Sequence, residues 1–151
     1  MNGISARDYF MGRDTDRRYK QHMTEQIRVA ANALLLRVNR LLAYAYESGR
    51  VDFELNPVAD LNLQQTIVAS GWRPPEINAS TKGAAAKSKH MTGHACDVYD
   101  PDGDFDEWLL TGPGQAALVQ CGLWMEHPGA TKGWSHLQDL PPGSGNRVFW
   151  P

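Results

Sequence analysis

The feature that most constrains the fold of this chain is an apolar stripe between residues 24 and 48. Apolar side chains recur there every three or four positions, at Ile27, Ala30, Ala31, Leu34, Leu35, Val38, Leu41, Leu42 and Ala45. This spacing predicts one long amphipathic helix that ends near Gly49. A helix lying on a membrane surface is the alternative. The polar face of the helix at 24–48 mixes acidic, basic and amide side chains, whereas a membrane-surface helix is typically basic there. We therefore expect the helix to pack against a core.

The rest of the chain has the pattern of short strands and helices. Alternating or β-branched runs predict strands at 51–55, 65–68, 95–99, 123–126 and 134–138, with an edge strand at 147–150. Apolar spacing predicts helices at 105–110 and 115–121, and residues 74–87 have the Pro and Gly content of a long loop. Together these elements predict an α+β fold, with helices flanking a small, mostly antiparallel sheet.

Length and composition limit the classes of protein that the chain can belong to. Its 151 residues indicate one domain, 1–151, that buries a core without disulfide bonds, behind a polar lead-in at 1–23 that is frayed or forms a short helix. A net charge of −2 gives no reason to expect a nucleic-acid partner. No stretch approaches the ~20 apolar residues of a transmembrane helix. The sequence gives no indication of the oligomeric state.

Two histidines and an aspartate are the residues most suggestive of chemistry. His90 and Asp97 lie within Ser-Lys-His-Met-Thr-Gly-His-Ala-Cys-Asp (88–97), and His136 follows in Trp-Ser-His (134–136). Two imidazoles and a carboxylate are the ligand set of a catalytic Zn²⁺ site, which leaves the fourth tetrahedral position open for water. Cys96 and Cys121 are too few and too far apart for a structural zinc site, and nothing in their spacing indicates a disulfide.

These motifs resemble the zinc D-alanyl-D-alanine carboxypeptidase and L-alanyl-D-glutamate endopeptidase family, which includes phage endolysins and shares its fold distantly with the hedgehog signalling domain. The resemblance covers roughly residues 61–140. It is carried by Ser88, His90, Gly93, Ala95 and Asp97, by Trp134 and His136, and by Ser70, Gly71, Trp72 and Arg73. It implies a metallopeptidase domain whose zinc-site core is 61–140 and whose helix at 24–48 packs behind it.

The resemblance also implies roles for single residues. His90, Asp97 and His136 would bind Zn²⁺, and Arg73 would lie near the substrate, where a guanidinium can hold a peptide carboxylate or carbonyl. A surface arginine in a Pro-bounded loop is the alternative for Arg73. Ser88 would either bind substrate or steady the turn that carries His90. His94, at a variable position of the family pattern, would be exposed or form a hydrogen bond behind the ligands. The alternation of side chains along a strand separately indicates that Cys96 faces away from Asp97.

The chain departs from the family at the catalytic carboxylate. Many members carry Glu or Asp three positions before the last histidine ligand, and that position is Gly133 here. The nearest upstream carboxylate is Glu126, which we expect to act as the general acid and base, with His127 as its competitor. A non-catalytic, binding-only relative is the alternative that Gly133 raises.

The sequence thus predicts a zinc-dependent peptidase that hydrolyses peptide bonds in bacterial peptidoglycan stem peptides. The N-terminus lacks the apolar core of a secretory signal, so we expect synthesis in the cytoplasm. The protein would act on the cell wall after release or as part of a virion, as a phage or prophage protein does. The alternative is a non-catalytic, zinc-bearing module for cell-wall binding or virion structure. Which peptide bond is cut is not indicated.

Overall fold

The computed structural model describes residues 1–151 and contains five α-helices and one five-stranded sheet. The helices are α1 (Ala6–Phe10), α2 (Glu25–Glu47), α3 (Pro75–Ser80), α4 (Asp104–Leu109) and α5 (Gly112–Cys121). The strands are β1 (Val68–Ser70), β2 (Ala95–Asp100), β3 (Trp124–Glu126), β4 (Gly133–Gln138) and β5 (Val148–Phe149). Short 3₁₀ turns lie at Lys20–His22, Lys89–Thr92 and Pro128–Ala130. The predicted α+β class is confirmed. None of the helices combines the length and apolarity that crossing a membrane requires.

The long helix predicted from the apolar stripe is α2, which supplies one side of the core. Thr24 caps its first turn, since the Thr24 hydroxyl accepts a hydrogen bond from the backbone N–H of Ile27. The buried face of α2 comprises Ala31, Leu34, Leu35, Val38, Leu41, Leu42 and Ala45. The helix therefore packs in the interior, as the mixed polar face predicted.

The sheet has the strand order β1-β2-β4-β3-β5, with antiparallel neighbours except for the parallel pair β3 and β5. In the pairing of β2 with β4, Asp97 lies directly opposite His136. Side chains alternate along β2, so Cys96 points into the core while Asp97 points to the other face. Both cysteines are free and buried. The register alone thus brings together two residues that are distant in the sequence.

Three of the predicted irregular and extended segments differ from the structure. Residues 51–55 form no strand, although Val51 and Phe53 pack inward, because Leu55 is exposed and Asn56 turns the chain back to bond Thr66 and Val68. The strand predicted at 65–68 forms later, as β1. The loop predicted at 74–87 contains α3, which begins with Pro75 in its first turn, where a proline costs no hydrogen bond.

The N-terminal segment is part of the core instead of a frayed lead-in. Ser5 and Asp8 form a capping box that starts α1, and Tyr9 and Phe10 are buried. The Tyr9 hydroxyl donates to the carbonyl of Ala95 on β2 at 2.9 Å. At Gly71 the backbones approach so closely that an added Cβ would lie 1.8 Å from the Tyr9 carbonyl oxygen. The close approach fixes the chain just after β1.

Candidate metal centre

The three residues expected to bind metal come together at the sheet. His90 comes from the 3₁₀ turn Lys89–Thr92, Asp97 from β2 and His136 from β4, and all three are buried. Their ligand atoms lie within 4.8 Å of one another. His136 Nδ1 is 2.9 Å and His90 Nε2 is 3.2 Å from the same oxygen, Asp97 Oδ1. One His-Asp-His group thus converges on a single point.

Local backbone chemistry holds the turn that presents His90. The Ser88 hydroxyl accepts from the backbone N–H of His90 at 3.2 Å, which caps the turn. Gly93 ends the turn with φ +81°, and an added Cβ would lie 2.8 Å from the carbonyl oxygen of Ile27 on α2. Ser88 therefore steadies the His90 turn, one of its two predicted roles, and Gly93 lets that turn sit against α2.

His90 has an outer ring nitrogen, Nδ1, which faces Gly71, and an inner one, Nε2, which faces Asp97. The hydrogen bond of the outer nitrogen determines that the inner one can bind metal. Nδ1 lies 2.9 Å from the carbonyl oxygen of Gly71, which can only accept, so Nδ1 carries the hydrogen. The inner Nε2 then presents a lone pair. Nε2 is buried and has no hydrogen-bond partner, since its contact with Asp97 lacks hydrogen-bond geometry despite its length. A buried nitrogen of this kind needs an electron-pair acceptor.

The outer nitrogen of His136 is fixed by Gln138. The Gln138 side-chain N–H donates to the carbonyl of Leu140 at 2.7 Å, so its oxygen faces His136 Nε2 at 2.9 Å. His136 Nε2 therefore donates, and the neutral ring turns the lone pair of Nδ1 toward Asp97. Two lone pairs 2.9 Å apart repel unless a proton or a cation lies between them.

The group can therefore hold a metal ion. Its three inner atoms are two imidazole nitrogens and one carboxylate oxygen, and each imidazole already donates from its outer nitrogen. Metal-binding histidines in proteins are held in this way by acceptors behind them. The residues present fit a cation at the point where His90, Asp97 and His136 converge.

The electrostatics of the group differ between its two imidazole rings. Burial lowers the pKa of His90 against the opposing charge of Asp97, which favours the neutral ring that a metal requires. For His136, burial acts to lower the pKa, but the hydrogen bond and charge of Asp97 outweigh it and raise the pKa. The raised pKa favours a proton on Nδ1 beside Asp97, and a metal that binds there takes the place of this proton. Burial likewise opposes ionisation of Asp97, yet His90 and His136 hold its pKa well below the ordinary range. Asp97 is thus an anion in the interior.

Arg73 lies against the outer oxygen of Asp97. Its Nη2 donates to Asp97 Oδ2 at 3.2 Å and its Nε donates to the Ser70 hydroxyl at 2.9 Å. The side chain is 11% exposed, so the interpretation of Arg73 as a surface residue is wrong. Because Arg73 also lines the cleft above the group, it has access to a bound molecule. Its contact with substrate stays a prediction.

A cleft of about 650 Å³ opens over the three metal-binding residues. One part of its lining is basic and consists of Lys82, Lys87 and Lys89, together with Arg73. Another part is aromatic and consists of Trp134, Phe149 and Trp150. The candidate metal centre is therefore accessible from outside through a cleft whose side chains suit an anionic, partly apolar molecule.

Glu126 lines this cleft, at the end of the strand next to β4. Glu126 Oε1 is 3.8 Å from His136 Nε2, the nitrogen that bonds Gln138 and not the one that faces Asp97. Burial raises the pKa of Glu126, with His136 acting in the opposite direction. A half-buried carboxylate whose pKa is raised accepts a proton more readily, which suits proton transfer. The assignment of Glu126 as the base stays a prediction.

His127, the alternative base, and His94, the histidine beside the ligand motif, are less well placed for these roles. The ring of His127 stacks on Trp150 at 4.2 Å, and its Nδ1 accepts from the backbone N–H of Gly129. His94 bonds Asp139 at 2.8 Å and lies outside the His-Asp-His group. Gly133 begins β4 with φ +100°, a conformation that disfavours a side chain there. A carboxylate at position 133 would therefore strain the entrance to β4.

Sequence reasoning missed two groups that orient the ligands, the Gln138 side chain and the Gly71 carbonyl. Gln138 is two residues after His136 in a strand, and side chains at that spacing share a face. That spacing was the available signal. No side chain marks the Gly71 carbonyl, so nothing in the sequence could have indicated it.

Comparisons of the chain with protein-family models, with curated proteins and with solved structures find no match.

Proposed function

We propose that the protein is a zinc-dependent peptidase that hydrolyses peptide bonds in bacterial peptidoglycan stem peptides. The observation that carries the proposal is the convergence of His90 Nε2, Asp97 Oδ1 and His136 Nδ1 at the floor of an open cleft. Two nitrogens and one oxygen are the ligands of catalytic zinc sites, which keep a position for water or substrate. The motif resemblance supports the same function.

The side chains around the proposed zinc site have distinct tasks in such a reaction. When bound, zinc supplies Lewis acidity to water and to the scissile carbonyl. Glu126 would take the proton from the attacking water and return it to the leaving amine. Arg73 would orient the peptide through a carbonyl or carboxylate, using guanidinium N–H groups that Asp97 and Ser70 do not occupy.

The lining of the cleft supports a peptidoglycan peptide as substrate. Stem peptides carry free carboxylates, which Lys82, Lys87 and Lys89 would attract to the cleft. Trp134 and Trp150 offer apolar surface to the less polar parts of the molecule. A phage or prophage protein, released at lysis or carried on a virion, would meet this substrate in the bacterial wall.

The test is turnover of purified peptidoglycan by purified protein. Soluble fragments should be released, chelation should stop their release, and added zinc should restore it. Mass spectrometry of the fragments identifies the bond that is cut. The variant His136→Ala should release nothing with or without zinc. If the zinc-loaded protein sediments with the wall and releases nothing, it is the non-catalytic binding module that Gly133 suggests.

A further inference from the structure

A second group of acidic side chains begins at the last residue of β2, the strand that also holds Asp97. Residues 100–107, which we call the acidic turn, run from the last residue of β2 into the first turn of α4. They carry five carboxylates, those of Asp100, Asp102, Asp104, Asp106 and Glu107. Carboxylate oxygens of Asp100, Asp102 and Asp104 lie within 4.8 Å of one another. No ion pair involves any residue of the turn, although Lys132 lines a second cleft together with residues of the turn.

The fold itself accounts for part of this acidity. Asp100 accepts backbone hydrogen bonds from Phe105 and Asp106 and a third from the Ser135 hydroxyl. Asp102 accepts from the backbone N–H of Asp104 at 3.3 Å. These hydrogen bonds shape the turn, because carboxylates commonly accept backbone hydrogen bonds where a helix begins. They do not involve every oxygen of the cluster.

Two buried oxygens beside the cluster have no partner. Asp106 Oδ1 and Thr131 Oγ1 accept and donate no hydrogen bond, and the two residues are 6% and 1% exposed. Asp106 belongs to α4, whereas Thr131 comes from the segment before β4. Both line one cleft of about 440 Å³ together with Asp100 and Asp102. An unpartnered buried oxygen is costly, and two that line the same acidic cleft point to a cation as their partner.

We infer that the acidic turn and Thr131 form a second cation site, which binds calcium. All the available donors are oxygens, from carboxylates and one hydroxyl. Calcium takes six to eight oxygen ligands in flexible geometry, whereas magnesium requires a near-ideal octahedron and zinc favours nitrogen and sulfur. The irregular arrangement of the turn therefore suits calcium best.

The carboxylates of the turn are also held with little compensating charge. None of the five carboxylates lies within ion-pair distance of a lysine, arginine or histidine side chain. A bound cation would contact these carboxylates directly, whereas Lys132 lines the cleft without forming an ion pair with any of them.

Calcium at this position would tie together the two strands that carry the candidate metal centre. Asp100 ends β2, which also holds Asp97. Thr131 precedes β4, which holds His136. The site would stabilise this end of the β2–β4 pair without touching the His-Asp-His group, and it is independent of the proposed peptidase activity.

The test is a titration of the zinc-loaded, calcium-depleted full chain with calcium chloride. Isothermal calorimetry should show one calcium per chain, the midpoint of thermal unfolding should rise, and magnesium should bind at least tenfold more weakly. Asp102→Asn, at an exposed position, and Thr131→Val should each weaken calcium binding at least tenfold. Glu54→Gln, an exposed carboxylate outside the turn, is the matched control and should bind as the wild type does.

The metal centre is separated from this site by His136→Ala, which should retain calcium binding. Loss of calcium binding in that variant would assign the ion to the His-Asp-His group and overturn the inference. Absence of heat and of any thermal shift at millimolar calcium would also overturn it. So would equal affinity in the wild type, Asp102→Asn and Thr131→Val, since calcium would then bind elsewhere.

Discussion

Each side chain of the candidate metal centre is held from behind by another group. Gly71 fixes His90, Gln138 fixes His136, and Arg73 holds the outer oxygen of Asp97. Rings and carboxylate are thereby oriented before a cation arrives, which increases affinity because less freedom is lost on binding. Replacing a metal-binding residue and replacing a residue beside it should therefore have very different effects on zinc content.

His136→Ala should lose most of the bound zinc, because it removes one of three inner ligand atoms. Elemental analysis of the purified variant measures this directly. His94→Ala is the matched control, since His94 bonds Asp139 and should leave the zinc content at the wild-type level. Unchanged zinc in His136→Ala would contradict the ligand assignment.

Glu126→Gln should retain zinc and fold while slowing peptidoglycan hydrolysis by about 10²–10⁴-fold, the scale of general acid–base catalysis. The amide keeps the size of the side chain and removes its basicity. His127→Ala, which loses a stack on Trp150, should be much milder. If Glu126→Gln also loses zinc, Glu126 acts by stabilising His136, 3.8 Å away, and is not the base.

Arg73→Ala should reduce hydrolysis while most of the zinc is retained, because Arg73 contacts the outer oxygen of Asp97 and none of the inner ligand atoms. Arg73→Lys should rescue activity poorly, since an ammonium cannot bond Asp97, Ser70 and a peptide with one planar group. Kinetics on a soluble muropeptide, together with zinc content, measure both effects. Full activity in both variants would show that Arg73 does not position the substrate.

At the scale of elements, the junction of α1 with the end of β1 positions the His90 turn of the candidate metal centre. The Tyr9 carbonyl accepts from the backbone N–H of Trp72, and Trp72 Nε1 donates to the carbonyl of Met91 in the His90 turn. Gly71 permits this approach and also supplies the carbonyl behind His90. The N-terminal segment is thus coupled to the metal-binding turn through one glycine.

Gly71→Ala should therefore lower the free energy of unfolding by about 1–3 kcal/mol or more, the range for overpacked sites, because its Cβ meets backbone and not a movable side chain. Zinc affinity should fall as well. Gly143→Ala, where nothing lies within 4 Å of an added Cβ, is the matched control and should change stability little. Urea unfolding curves of both variants measure the difference, and equal stability would show that the backbones can separate freely.

The elements that sequence reasoning predicted well are those with a strong local signal. α2 follows from its apolar spacing, and β2, β3 and β4 follow from short apolar runs between turns. Residues 51–55 mimic a strand by alternation, but no neighbouring strand pairs with them. The burial of Tyr9 depends on Gly71, a partner far away in the sequence, so no local pattern could predict it. The ligand set was predictable because its residue types are chemically distinctive.

At the scale of the whole molecule, the candidate metal centre joins parts of the chain that are distant in the sequence. Asp97 and His136 are separated by 39 residues, and the His90 turn packs on α2. A bound metal therefore links the sheet with the helical side of the core. It would favour the folded chain over the unfolded one, which has no preformed site.

Chelation should consequently lower the midpoint of thermal unfolding of the zinc-loaded protein. A free zinc concentration 1,000 times the dissociation constant contributes about 4 kcal/mol to the folded state, which chelation removes. Calorimetry with and without chelator measures the shift. His136→Ala is the control, since its midpoint should be insensitive to the chelator. Equal midpoints for the wild type in both conditions would mean that metal binding is not coupled to folding.

The aromatic lining of the cleft has an optical consequence. Of the five tryptophans, Trp72 and Trp108 are buried, whereas Trp134 and Trp150 line the cleft and Trp150 is 64% exposed. A molecule that enters the cleft covers the exposed indoles and shields them from a quencher such as acrylamide, while emission from the buried pair stays constant. Occupancy of the cleft can therefore be followed by intrinsic fluorescence, without a label and without turnover.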